Sequence, residues 1–106
     1  MKADSCYLAT DKPIRKPADY DGKVVFESEL GIVTGRTARR VPLEQATDYV
    51  FGYTCINDVT AIGLLDKDPS FKHWTRAKSF DTFGVVGPVI ATDIKPEIIN
   101  GQKYVK

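Results

Sequence analysis

The chain has few of the residues that build disulfide frameworks, zinc sites or nucleic-acid surfaces. Among its 106 residues are two cysteines, Cys6 and Cys55, and one histidine, His73. Two cysteines are too few for a disulfide framework, and their spacing is not that of a zinc site. The formal net charge is +1, and the basic residues are dispersed apart from Arg39 and Arg40. We therefore expect no nucleic-acid partner.

Several sequence motifs are also absent. The first residues, MKADSCYLATDKP, contain no apolar core of a signal peptide, and no hydrophobic run approaches the length of a membrane span. There is no P-loop, no G-x-G-x-x-G and no G-x-S-x-G around a serine. These absences predict a cytoplasmic protein that has no membrane partner and needs no nucleotide.

The length and the element pattern indicate one α+β or mixed-β domain with a modest core. Residues 1–22 hold two prolines and Asp/Lys clusters, which predict an extended lead-in. An apolar strand follows over residues 24–34. A helix is predicted over residues 42–52, because Pro42 suits its first position, Gly52 is placed to end it, and an apolar stripe lies between them (Leu43, Ala46 and Val50). The further predicted elements are a strand over 53–60, a short helical piece over 61–65, a strand over 85–92 and a turn leading into a strand around NGQKYV.

Two acids lie in the middle of the first predicted strand. In KVVFESELGIVTG, Glu27 and Glu29 are two residues apart, so their side chains share one face of a strand. One interpretation is the solvated face of an edge strand. The other is a bound cation shared by both carboxylates, because two adjacent negative charges repel each other without one.

A third carboxylate makes the cation site more plausible. Asp58 interrupts the apolar row of YTCINDVT, on the same face as Thr54 and Ile56. It is either a turn-capping aspartate beside Asn57 or a third oxygen ligand, and hard ions such as Mg²⁺ prefer oxygen ligands. From these residues alone, both interpretations remain open.

Lys78 is unusual for its surroundings. It lies in WTRAKSFDTFG, with apolar and aromatic neighbours on both sides. A lysine in that setting either neutralises an acidic site and stabilises an anionic intermediate, or is an ordinary surface residue.

Three segments together resemble the fumarylacetoacetate hydrolase family. They are FESELGIVTGR, YVFGYTCINDVTA and WTRAKSFDTFGVVGPVIAT, which follow the family's order and nearly its spacing between about residues 14 and 92. The chain is similar in particular to the bacterial branch of catechol-pathway hydratases, isomerases and decarboxylases. Residues 23–106 are accordingly interpreted as part of the family's catalytic domain, a mixed β-roll that usually dimerises.

The resemblance implies a set of site residues and a chemistry. Glu27, Glu29 and Asp58 fall on the family's ligands for Mg²⁺ or Mn²⁺, and Lys78 falls on its active-site lysine, which serves catalysis and substrate binding. The implied activity is that of a hydrolase or lyase that cleaves C–C bonds of small 2-oxo or 1,3-dicarbonyl acids, of the fumarylacetoacetate or acylpyruvate type, through a metal-stabilised enolate in aromatic catabolism. The alternatives are a decarboxylase or isomerase with the same site, and a non-catalytic fragment or assembly module.

The chain also departs from the family pattern. After NDVTA many members continue with Arg-Asp-x-Gln, where this chain has Ile-Gly-Leu-Leu at residues 62–65. A lid segment with a His/Glu pair and the later G-D-x-I and G-T-P-x-G motifs are absent. We therefore expect the chain to be the middle of a larger fold, and to form a homo-oligomer or to associate with a complementary chain that supplies strands.

Overall fold

Short β-strands make up most of the regular structure. A computed structural model of the chain describes residues 1–94, 97–99 and 102–104. The strands are β1 (Tyr7–Ala9), β2 (Val24–Val25), β3 (Ser28–Thr34), β4 (Val50–Asp58), β5 (Thr60–Ala61), β6 (Gly84–Val86), β7 (Glu97–Ile99) and β8 (Gln102–Tyr104); one α-helix, α1 (Trp74–Lys78), and 3₁₀ helices at Asp4–Cys6, Leu43–Tyr49 and Ile62–Leu64 complete the described elements. This confirms the prediction of a mixed-β fold with little helix. None of the described helices is long and apolar enough to cross a membrane.

The described residues form two compact units. The first comprises Met1–Glu29 and Cys55–Pro88, and the second comprises Leu30–Thr54 and the described residues from Val89 onward. In the first unit, β6 pairs in parallel with β1 and antiparallel with the last residues of β4. In the same unit β2 pairs antiparallel with β5.

The core of the first unit is small. Val59, Ala61 and Phe83 are at most 2% exposed, and they pack against four partly buried side chains: Tyr20, Val24, Leu64 and Phe80. The rings of Phe80 and Phe83 meet edge to face, with centroids 5.4 Å apart. Because Val59 directly follows the last residue of β4, this core fixes the position of Asp58.

The first 22 residues contain more structure than the sequence indicated. Tyr7–Ala9 forms β1, which pairs with β6, and the thiol of buried Cys6 donates a hydrogen bond to the Ala3 carbonyl at 2.8 Å. Burial raises the pKa of that thiol, which favours its neutral form. The domain boundary at residue 23 stays a prediction.

The prediction of one strand over residues 24–34 was wrong, because this stretch divides into β2 and β3. At the break, the Asn57 side chain accepts a hydrogen bond from the Glu27 backbone N–H at 3.3 Å. The Asp58 N–H donates to the Glu27 carbonyl at 2.9 Å. The strand is interrupted because these contacts, rather than a continuous ladder, satisfy the backbone of Glu27.

The prediction of a helix over residues 42–52 was also wrong. A 3₁₀ helix covers Leu43–Tyr49 and contains no buried residue, so the expected apolar stripe does not pack. Gly52 does not end a helix but lies inside β4, where a Cβ would come within 2.6 Å of the Ala91 carbonyl oxygen. Glycine is needed there because Tyr53 and Ala91 exchange two backbone hydrogen bonds, at 2.9 and 2.8 Å.

The remaining predicted elements are present with different limits. The strand expected over 53–60 begins earlier, at Val50, and ends at Asp58. The strand expected over 85–92 is β6, which ends before the cis Gly87–Pro88 bond, and the piece over 61–65 is the 3₁₀ helix Ile62–Leu64. In the NGQKYV segment, β8 covers Gln102–Tyr104, and the residues on either side of it lie outside the described residues.

Candidate metal centre

The first unit brings the three predicted carboxylates together. Glu27 lies between β2 and β3, Glu29 is the second residue of β3, and Asp58 is the last residue of β4. One carboxylate oxygen from each lies within 4.8 Å of the other two. The break between β2 and β3 thus lies next to the end of β4, which brings Glu27 and Glu29 close to Asp58.

Glu27 is held by a neutral and a charged donor. The hydroxyl of Thr60, which is fully buried, lies 2.8 Å from Oε1 of Glu27. The Nζ of Lys78 donates to both carboxylate oxygens at 3.0 Å. The Glu27 carboxylate therefore has a fixed orientation, although its side chain is 36% exposed.

Lys78 lies between two of the acids. It is the last residue of α1, it is 4% exposed, and it forms ion pairs with Glu27 and with Oδ2 of Asp58. Burial by itself would lower the pKa of Lys78, but the hydrogen bonds and charges of Asp58 and Glu27 outweigh burial and raise it. The ammonium is therefore charged at neutral pH, and its Nζ lies 5.6 Å from the ring centroid of Trp74.

Asp58 is paired with a second lysine. The Nζ of Lys2 lies 2.8 Å from Oδ1 of Asp58, opposite the oxygen that pairs with Lys78. Burial alone would raise the pKa of Asp58, but the ammonium groups of Lys2 and Lys78 beside its two oxygens hold it below the usual range. Asp58 is therefore an ionised carboxylate and not the turn cap that the sequence left open.

Three residues of this site were not found by sequence reasoning. Lys2, Thr60 and Trp74 each contact a predicted site residue. Thr60 belongs to the NDVT motif, so its position two residues after Asp58 was a usable signal. Lys2 carries no such signal, because it is 56 residues from its partner and only the tertiary fold brings it there.

The donor set fits a hard divalent cation. Three carboxylates against two ammonium groups leave one net negative charge, and carboxylate oxygens are the ligands that Mg²⁺ and Mn²⁺ prefer. An Mg–O bond measures about 2.1 Å, so two oxygens on opposite sides of one ion lie about 4.2 Å apart. The observed spacing, within 4.8 Å, is close to that value. Glu27, Glu29 and Asp58 are thus suitable ligands for one ion.

The segment that departs from the family pattern lies beside this site in the chain. It begins directly after β5 as a 3₁₀ helix, Ile62–Leu64, and Leu65 is buried at 5% exposure. None of these four side chains can donate a hydrogen bond to a substrate carboxylate. Any such donor must come from another part of the molecule.

Comparison with known proteins identifies the family of this chain. The family model "Fumarylacetoacetate (FAA) hydrolase C-terminal" matches residues 1–103. The structure of a 5-carboxymethyl-2-hydroxymuconate delta-isomerase from Mycobacterium smegmatis superposes with a TM-score of 0.78 at 39% identity, over 96% of this chain and 41% of that one. A maleylpyruvate hydrolase from Sphingobium sp. SYK-6, in complex with manganese(II) and pyruvate, gives a TM-score of 0.71 at 33% identity, over 93% and 33%.

A curated relative adds a third activity. The mitochondrial oxaloacetate tautomerase of Xenopus laevis is 36% identical over 91 residues, which are 86% of this chain and 28% of that protein. The chain spans 35% to 40% of the length of the first curated relatives that it matches. This agrees with the expectation of a partial domain, and isomerase, hydrolase and tautomerase activities all occur among the proteins similar to it. The chain belongs to the fumarylacetoacetate hydrolase family of enzymes.

Proposed function

We propose that this chain carries the divalent-metal centre and the active-site lysine of an enzyme that acts on small 2-oxo or 1,3-dicarbonyl acids. The observation that supports this most directly is the convergence of Glu27, Glu29 and Asp58 beside the buried ammonium of Lys78. The metal-bound relative supports it as well, since its structure holds manganese(II) together with pyruvate, a 2-oxo acid.

The proposed ligands of Mg²⁺ or Mn²⁺ are Glu27, Glu29 and Asp58. An ion bound there supplies Lewis-acid polarisation of a substrate carbonyl. Glu27 and Asp58 are already oriented by Thr60, Lys78 and Lys2, so binding an ion requires little reorganisation of these two ligands. Glu29 is exposed, and its carboxylate is the ligand most open to solvent.

Lys78 is the proposed catalytic and substrate-binding residue. Cleavage of the C–C bond next to a carbonyl leaves an enolate, which carries negative charge on oxygen. A fixed ammonium near that oxygen stabilises the charge as it develops. The pKa of Lys78 is raised, so the lysine offers a positive charge, and not a base, under neutral conditions.

The leading candidate reaction is hydrolytic or lyase cleavage of an acylpyruvate-type substrate. Water adds its oxygen to one carbonyl carbon, the neighbouring C–C bond breaks, and the departing enolate takes up a proton to become a ketone. The second candidate is keto–enol isomerisation or decarboxylation, supported by the isomerase and tautomerase among the similar proteins. Because both reactions pass through an enolate, the intermediate does not distinguish them. Their products do, in assays with acylpyruvates, maleylpyruvate and oxaloacetate.

Metal binding is the first property to test. We expect the chain to bind one Mn²⁺ or Mg²⁺ in a calorimetric titration, and Glu29→Gln to weaken binding by about 100-fold or more, since even changes outside the ligand shell commonly cost 10–100-fold. Glu44→Gln is the matched control, because Glu44 is an exposed glutamate in the 3₁₀ helix Leu43–Tyr49. Equal affinity of Glu29→Gln and the parent chain would contradict the proposal.

Association with a second copy or a complementary chain is part of the same proposal. The exposed fractions of Phe26, Ile32 and Phe51 are 78%, 57% and 54%. Large exposed apolar side chains favour association, and sedimentation velocity measures whether the chain is a monomer. A cytoplasmic location and a role in aromatic catabolism remain predictions.

A further inference from the structure

Lys2 is a partly buried lysine for which the proposed reaction has no use. Its side chain is 12% exposed. Its Nζ donates to the carbonyl oxygens of Val59 at 3.0 Å and Phe83 at 2.8 Å, and also contacts the Lys78 carbonyl. The fourth neighbour is Oδ1 of Asp58, at 2.8 Å.

These carbonyls belong to three separate segments of the first unit. Val59 joins β4 to β5, Lys78 ends α1, and Phe83 immediately precedes β6. An ammonium has three protons, and hydrogen bonds from these protons to surrounding carbonyls fix the position of its nitrogen. The backbone therefore fixes the charge of Lys2 beside Asp58, in contrast to a surface lysine whose long side chain samples many rotamers.

We infer that Lys2 is a positioning residue of the metal centre, whose charge fixes Oδ1 of Asp58 and so leaves Oδ2 facing Lys78. The inference rests on the proposed function, since it assigns Lys2 to the same site. Asp58 is then a one-oxygen ligand. Its other oxygen, Oδ1, accepts no hydrogen bond from the described residues and is compensated by the charge of Lys2 alone. Partners of this kind, which orient ligands without touching the ion, tune metal affinity.

A purely structural role for Lys2 makes a different prediction. If its ammonium only joined the three backbone segments, its removal would destabilise the fold and leave the ligand arrangement of the folded chain unchanged. If Lys2 positions Asp58, its removal frees Oδ1, so the carboxylate can rotate or bind through both oxygens. Metal affinity and ligand geometry separate these roles.

The test compares the parent chain with Lys2→Met, which keeps the length of the side chain and removes the ammonium. Losing the Lys2 charge removes some repulsion of a cation, as it does at Lys78, but the inference requires the lost orientation of Asp58 to outweigh this. We therefore expect Mn²⁺ affinity in calorimetry to fall about 10–100-fold, the effect typical of outer-shell partners. We also expect the visible absorption spectrum of bound Co²⁺, which reports coordination number and geometry, to change. Lys12→Met removes an equal charge from an exposed lysine and should leave both measurements at the parent values.

A second control separates positioning from stability. Leu65→Ala shortens a core side chain that is 5% exposed, so it lowers the melting temperature without touching Asp58. It should keep the parent Co²⁺ spectrum. If Lys2→Met binds Mn²⁺ as tightly as the parent with an unchanged spectrum, the inference is overturned while the metal centre stands; if the parent chain binds no metal, both are overturned.

A pair of further variants covers the case in which Lys2→Met does not fold. Lys2→Gln and Lys2→Arg both keep donors for the surrounding carbonyls, but only arginine keeps the positive charge. The inference requires weaker Mn²⁺ binding and an altered Co²⁺ spectrum for Lys2→Gln, with recovery in Lys2→Arg. Equal affinity and equal spectra for the two variants would overturn it.

Discussion

Lys78 is the residue on which the charge balance of the carboxylate cluster depends. Its Nζ is 3.0 Å from both oxygens of Glu27 and also pairs with Asp58. Without a bound ion, the ammonium is the main compensation for Glu27. It therefore stabilises the metal-free chain and, as a positive charge beside the ligands, opposes the binding of another cation.

Removing this charge should separate stability from metal affinity. We expect Lys78→Met to destabilise the metal-free chain by about 2 kcal/mol, which is less than the usual cost of breaking a fully buried pair. Glu27 loses its charged partner but is 36% exposed, and Asp58 keeps Lys2. The same variant should bind Mn²⁺ more tightly than the parent, since the competing charge is gone, and lose any turnover. Chemical unfolding and calorimetry measure the first two effects.

Lys72→Met is the control for Lys78→Met. Lys72 pairs with Asp66, but the two side chains are 54% and 70% exposed, and exposed pairs contribute at most about 1 kcal/mol. This variant should leave both stability and Mn²⁺ affinity near the parent values. Weaker Mn²⁺ binding by Lys78→Met would show that the lysine organises the ligands more than it competes with the ion.

The residues that the sequence identified and those that it missed differ in one physical respect. Glu27, Glu29, Asp58 and Lys78 stand in local motifs that resemble those of the family, and that resemblance is what implied a metal site and an active-site lysine. Lys2 has an ordinary local sequence, and its role depends on a 2.8 Å contact with Asp58 that exists only in the folded chain. A single sequence contains no local pattern for such a contact.

Among the elements, β4 contributes residues to both units. Its last residues pair with β6 in the first unit, at Ile56, Asn57 and Asp58. In the second unit, Tyr53 of β4 pairs with Ala91. The helix predicted over 42–52 is not formed. The signals at Pro42 and Gly52 concern only the local sequence, whereas the strand pairing that extends β4 back to Val50 involves residues distant in sequence.

Gly52 allows the close approach of Ala91 to β4. A Cβ at this position would lie 2.6 Å from the Ala91 carbonyl oxygen and 2.8 Å from Cγ2 of Ile90. Because the first of these contacts is with backbone, the neighbouring segment must move. We expect Gly52→Ala to destabilise the chain by about 1–3 kcal/mol, the usual cost of overpacking, as measured by urea unfolding.

Gly63→Ala serves as the comparison for Gly52→Ala. A Cβ at Gly63 would meet only the hydroxyl oxygen of Tyr20, at 3.0 Å, and no backbone atom. The loss of stability should therefore be clearly smaller. An equal loss for both variants would show that the contact between Gly52 and Ala91 does not constrain β4.

At the scale of the whole molecule, the core is small, so a bound ion should contribute a large share of the stability of the folded chain. The first unit contains all five charged groups of the site and only three fully buried apolar side chains in its main cluster. The mixed-β fold and the family were predictable because the motifs cover much of the chain. The division of the described residues into two units was not, since it depends on contacts far apart in sequence.

A bound divalent ion should therefore raise the stability of the chain measurably. At free Mn²⁺ 100 times the dissociation constant, a ligand that binds only the folded state adds about 2.7 kcal/mol, which for a domain of this size raises the melting temperature by about 10 °C. Differential scanning calorimetry with and without Mn²⁺ measures the shift. A chelator should reverse it, and Glu29→Gln should show almost none.

The fluorescence of the only tryptophan of the chain provides a second, independent measurement of ion binding. The Trp74 ring centroid is 5.6 Å from Nζ of Lys78, so a paramagnetic ion among the carboxylates lies close enough to quench its fluorescence. We expect Mn²⁺ to quench strongly and diamagnetic Mg²⁺ weakly at equal occupancy. Thermal stabilisation without quenching would mean that the ion binds elsewhere, because an ion held by Glu27 and Asp58 shares its immediate surroundings with Lys78 and hence with Trp74.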